Sequence, residues 1–200
     1  MKVVPKRLLV NHGVLSWPVR CLNETLYVRP GDVVCIVGTP RSGKTSLAAA
    51  SSLLWARQHK VAFFYEDDPC ITFKKFYNHP EDLIALNMDI AASDCFDVGN
   101  IAQLVQDNGY KIIVIDNYSL LHCSSRDPDR EAAIISELCS IANAFRVAVV
   151  VTHCLRHHES NFEKHPAFEF ARAVIKVERF NPKVSPEVIA TDILKNETSF

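Results

Sequence analysis

Eight residues, Gly38-Thr39-Pro40-Arg41-Ser42-Gly43-Lys44-Thr45, constrain this chain more than any others. They satisfy the pattern G-x-x-x-x-G-K-[ST], and they stand where that pattern needs to be, between a buried strand and a helix. Val33 to Val37 is a continuous, mostly β-branched apolar run after the turn Arg29-Pro30-Gly31-Asp32, as expected of a strand buried on both faces. Ser42 to about Gln58 is rich in Ala and Leu with no breaker, hence a helix. The glycines let the backbone wrap closely round a phosphate, several N–H groups point inward, and the helix start adds partial positive charge. Lys44 is placed to bridge terminal phosphates, and the Thr45 hydroxyl to hold Mg²⁺. The candidate phosphate-binding set runs from Gly38 to Ser46.

The rest of the chain repeats the pattern of short apolar run and longer helical run. Strands are predicted over 61–65, 88–92, 111–116 and 147–152, and helices over 71–86 (broken near Pro80), 100–107 and 129–146. Ala173 to Phe180 and Val188 to Leu194 are predicted as a strand pair at the sheet edge. Alternation of this kind means an α/β fold in three layers, with a central, mostly parallel sheet covered on both faces. In such sheets chemistry gathers beyond the C-terminal strand ends. That places Gly38, Glu66, Asp116 and His153 on one rim.

Composition narrows the classes. Lys+Arg number 22 and Asp+Glu 23, for a net charge of -1, so no basic surface envelops the molecule. At 48% hydrophobic residues the chain is expected to fold. No apolar run approaches the roughly 18 residues that cross a membrane, and no signal peptide is expected at the N-terminus. Seven scattered cysteines, mostly inside apolar runs, read as reduced thiols in an intracellular protein, cytoplasmic or nuclear.

Two acidic positions complete a nucleotide-hydrolysing set. Asp116 closes the strand KIIVID, where a carboxylate can hold Mg²⁺ directly or through water. Taken alone, an Asp there is commonly only a turn former. Glu66-Asp67-Asp68 follows the strand VAFFY, and one of Glu66 or Asp67 is a candidate base for the attacking water. One residue of strand register separates the two, so the choice stays open. The same cluster also suits the start of a helix at Pro69. A small-molecule kinase fits less well, because only Arg126 and Arg130 stand where an arginine-rich lid is expected.

The lead-in VRPGDVVCIVGTPRSGKTSL, then VAFFYEDDP, then KIIVIDNYSLL, resemble in that order the RecA-like P-loop ATPases, most of all the DnaB-type and RepA-type helicases. REAAIISELCSIANAFR followed by VAVVVTH is similar to their next helix and strand, which puts His153 at the family's polar sensor. The resemblance covers roughly residues 25 to 196. It implies a RecA-like ATPase domain over 29–200; residues 1–28 are expected as a leader packing on that core, with Trp17-Pro18 on the sheet or on a neighbouring subunit. It implies ATP and Mg²⁺ as ligands and a homo-oligomer, a hexameric ring among the options. It also implies that Arg172 and Lys195 act across a subunit interface. The Gly-Ser usual after the family's arginine is Ala173-Val174 here.

The loop after His153 carries Arg156, His157, His158, Lys164 and His165. Its spacing matches no structural zinc motif. Arg156, His157 and Lys164 are candidates for contact with single-stranded nucleic acid, with Phe162 and Phe168 available to stack on bases. A solvated loop anchored by its phenylalanines is the plainer reading. Two functions follow. One is an ATP-hydrolysing motor domain acting on nucleic acid in replication or recombination. The other is an accessory or recombinase-paralogue subunit that binds ATP and turns it over little, which the short stretch after Lys195-Asn196 favours.

Overall fold

A computed structural model describes residues 15–18, 22–23, 26–65, 87–92, 97–117, 128–155, 168–178 and 190–196. The elements follow in the order β1 (Val33–Gly38), α1 (Lys44–Trp55), β2 (Val61–Tyr65), β3 (Met88–Ala92), α2 (Val98–Asn108), β4 (Ile112–Asp116), α3 (Pro128–Phe145), β5 (Ala148–Cys154), β6 (Ala173–Glu178) and β7 (Ala190–Asn196). The strands form one sheet in the order β3-β2-β4-β5-β1-β6-β7. All neighbours are parallel except β6 and β7, which make an antiparallel pair at the edge. The fold is therefore α/β. The helices expected over 71–86 lie outside the described residues.

Strand alternation feeds two cores, one on each face of the sheet. Val33, Cys35 and Val37 of β1 pack with Ile101 and Val105 of α2 and with Ile135 and Leu138 of α3. Val34 and Ile36 point the other way, onto Leu47, Ala48 and Leu53 of α1. Every residue of β1, β2 and β4 is buried, as parallel strands covered on both faces require. The helix ends follow local chemistry. The Asp97 carboxylate accepts from the Gly99 N–H at the start of α2, and Gly109 ends it at φ 67, donating its N–H to the Val105 carbonyl. Pro128 opens α3, where its missing N–H costs nothing.

The α1 face is completed by residues that precede β1. Leu15, Trp17, Leu22, Leu26 and Val28 are buried there. Leu15 and Val28 form an antiparallel bridge. The Asn23 side chain accepts from the Trp17 N–H and donates to the Trp17 carbonyl, both at 2.6 Å. The Trp17 ring meets Trp55 edge to face at 5.1 Å, and Trp55 Nε1 donates to the Ser16 carbonyl. Trp17→Ala is expected to cost about 3–5 kcal/mol, read as a lower urea midpoint.

One boundary differs from the sequence reading in a way that matters. The strand expected to stop at Thr152 continues through His153 and Cys154. The reason is pairing: β5 stays in register with β1 to the end, with Val37 opposite His153 and Gly38 opposite Cys154. Tyr65 is likewise opposite Asp116. The C-terminal ends of β1, β2, β4 and β5 therefore share one rim. No helix among the described residues is long and apolar enough to cross a membrane.

Candidate functional site

The loop from Gly38 to Lys44 closes over the rim in a shape that glycine makes possible. A Cβ on Gly38 would lie 2.4 Å from the Val177 carbonyl oxygen and 2.6 Å from Ser42 Oγ. β6 and the loop thus approach too closely for any side chain. Gly43 sits at φ 104 and is the residue before α1, with no side chain capping the helix. Arg41 also has positive φ, at 61, and is exposed along with Pro40. Ser42 is buried. The result is an uncapped helix start facing a tight backbone turn, a geometry suited to an anion.

Lys44 is 8% exposed. Its Nζ donates to the Gly38 carbonyl at 2.9 Å and to the Thr39 carbonyl at 2.7 Å, so the ammonium is folded onto the loop. Burial pushes its pKa below the usual lysine value, against the opposing pull of Cys154 and Asp116. A buried cation held by neutral carbonyls is poised to gain from an anion placed in the loop.

Asp116 connects the loop to the middle of the sheet. It is 7% exposed. Its Oδ1 accepts from Thr45 Oγ1 at 3.2 Å and from Thr152 Oγ1 at 2.5 Å. Thr45 is the second residue of α1, and Thr152 is fully buried in β5. Because β5 lies between β1 and β4, its end meets the loop on one side and Asp116 on the other. A hydroxyl and a carboxylate this close, beside an anion cradle, make a donor set of hard oxygens suited to Mg²⁺.

The other candidates are distributed unevenly. Ser46 follows Thr45 in the first turn of α1 and is partly exposed. His153 stands at the rim, but its ring meets Phe168 edge to face at 5.9 Å, and Phe168 belongs to the core on the α2 and α3 face. Arg172 donates its backbone N–H to the Val33 carbonyl, at the far end of β1. Five strand steps separate Val33 from Gly38, about 16 Å. Lys195 is opposite Val174, which is opposite Cys35, so it too lies back from the rim. Glu66, Asp67, Arg156, His157 and Lys164 lie outside the described residues. Among the described residues no group of three or more His, Cys, Asp or Glu side chains is arranged to hold a metal.

One rim residue escaped the sequence reading, and a second was read only as part of the histidine-rich loop. Thr152 was absorbed into the apolar run VAVVVT, although it is that run's one hydroxyl. Cys154 is exposed and opposite Gly38, and it acts electrostatically on Lys44. Only the parallel register brings it there. No protein-family model matches the chain, and no curated protein matches it.

Proposed function

We propose that the chain is a RecA-like, Mg²⁺-dependent ATPase domain of the DnaB/RepA type that works on single-stranded nucleic acid as part of a homo-oligomer. The observation that carries this reading is the 3.2 Å contact between the Thr45 hydroxyl and Asp116, which ties the phosphate-loop helix to an acid on a separate strand. Both are needed where a divalent cation sits beside phosphates.

In this reading the loop amides from Gly38 to Ser46 surround the phosphates. Lys44 exchanges its carbonyl partners for phosphate oxygens. Thr45 and Asp116 would hold the cation, which when bound neutralises charge on the terminal phosphates. Glu66 or Asp67, following the end of β2, takes a proton from water as its oxygen bonds to the γ-phosphorus and the bond to the β-phosphate oxygen breaks, releasing ADP. His153 sits beside the loop strand as the candidate sensor.

The position of Arg172 and Lys195 supports a trans role. About 16 Å of strand stands between Arg172 and its own phosphate loop, so any charge it gives to a phosphate goes to a neighbouring copy. Turnover per subunit is accordingly expected to rise with protein concentration.

The test is ATP turnover of wild type, Glu66→Gln and Asp67→Asn, with and without single-stranded DNA. One acid variant is expected to bind ATP and lose turnover by about 100-fold or more, and DNA is expected to stimulate wild type. Hydrolysis at the wild-type rate by both variants removes the base assignment. Tight ATP binding by wild type with no turnover under any condition favours the accessory-subunit reading.

A further inference from the structure

Thr152 occupies a position that ought to be valine. Its strand neighbours Val149, Val150 and Val151 are buried, and Thr152 itself is 0% exposed between β1 and β4. A buried hydroxyl is costly unless it is used. Here it is used on one acceptor in particular: Thr152 Oγ1 donates to Asp116 Oδ1, the same oxygen that accepts from Thr45. The two donors differ in kind. Thr45 stands in the first turn of α1 beside the loop, whereas Thr152 is pinned in the middle of a parallel sheet, opposite Ile36.

We infer that Thr152 is a positioning residue, which fixes the Asp116 carboxylate in the orientation that shares a divalent cation with Thr45. A carboxylate on a strand end has two free side-chain torsions. One strong donor from a rigid neighbouring strand removes most of that freedom, and it does so before any nucleotide arrives. When the Thr45 oxygen turns toward a cation, the Thr152 hydroxyl keeps Asp116 in place. The inference rests on the nucleotide reading above. It adds that metal affinity, rather than affinity for the phosphates themselves, depends on a residue that touches neither. Outer partners of this kind typically contribute about 10- to 100-fold to metal affinity.

The experiment is equilibrium binding of a fluorescent ATP analogue to the full chain, first in EDTA and then across a magnesium titration. It compares wild type with Thr152→Val, which keeps the shape and loses the donor, and Thr152→Ser, which keeps the donor. Binding in EDTA is expected to match wild type within about two-fold for both variants. The magnesium concentration at half effect is expected to rise about 10- to 100-fold in Thr152→Val, and to stay near wild type in Thr152→Ser. Thr152→Cys, similar in size with a weak donor, is expected to fall between them, and it carries the test if the valine variant does not fold. An unchanged magnesium dependence in Thr152→Val or, failing that, in Thr152→Cys overturns the inference. So does an equal loss in EDTA and in magnesium, which marks a packing role. Absence of binding by wild type is a different failure: it removes the nucleotide reading, and this inference with it.

Discussion

Lys44→Ala is expected to leave a folded protein that binds nucleoside triphosphate roughly 30- to 5,000-fold more weakly, the effect of losing about 2–5 kcal/mol with one partner of a desolvated charge pair. The fold should tolerate the change. The Gly38 carbonyl still accepts from the Leu155 N–H at 2.9 Å, and a buried ammonium is removed rather than stranded. The pH behaviour gives an independent check. Burial lowers the Lys44 pKa from the usual 10.5, so between the lowered value and 10.5 the unfolded chain holds more protons than the folded one. Stability from this residue therefore rises with pH across that window, and Lys44→Ala abolishes the rise. Phosphates in the loop favour the ammonium, so binding takes up protons in the same window. Calorimetry inside that window, in two buffers of different ionisation enthalpy, is expected to show uptake for wild type.

Gly38→Ala is expected to be the most damaging single methyl in the loop. Its Cβ would sit 2.4 Å from the Val177 carbonyl oxygen, an atom of β6 backbone that cannot rotate away. Either β6 or the loop must move. Overpacking of this sort costs about 1–3 kcal/mol, and it displaces the loop. Gly43→Ala meets nothing within 4 Å, yet φ 104 strains a residue with a side chain by about 1–2 kcal/mol. The expected order is that Gly38→Ala lowers the melting temperature and removes its rise on adding MgATP, whereas Gly43→Ala lowers the temperature and keeps part of the rise. Equal, wild-type-like behaviour of Gly38→Ala would mean that the loop is not built as described.

Much of this was legible in the sequence because it depends on local chemistry. The pattern from Gly38 to Thr45 is contiguous, so it can be read residue by residue, and the strand before it and the helix after it are apolar enough to read directly. The end of α2 at Asn108-Gly109 was readable for the same reason, since a glycine at positive φ is what stops a helix. What depended on register was not readable. Thr152 looks like one more β-branched strand residue until β5 is inserted between β1 and β4. His153 reads as a loop residue until pairing with Val37 keeps it in the strand and turns its ring toward Phe168. Arg172 is singled out only through the resemblance, and no sequence pattern says that its backbone bonds to Val33, at the other end of β1. Trp17 is expected to pack on the sheet or on a neighbouring copy, but no periodic pattern names its partner, Trp55, which is far away in the chain.

The central claim is that the loop from Gly38 to Thr45 holds a triphosphate. Equilibrium titration of the intact, folded chain with MgATP, alongside Lys44→Ala, tests it most directly. The account predicts saturable binding at one site per chain in wild type and binding weaker by about 30-fold or more in the variant. No binding by folded wild type, or the same affinity in both proteins, would contradict it.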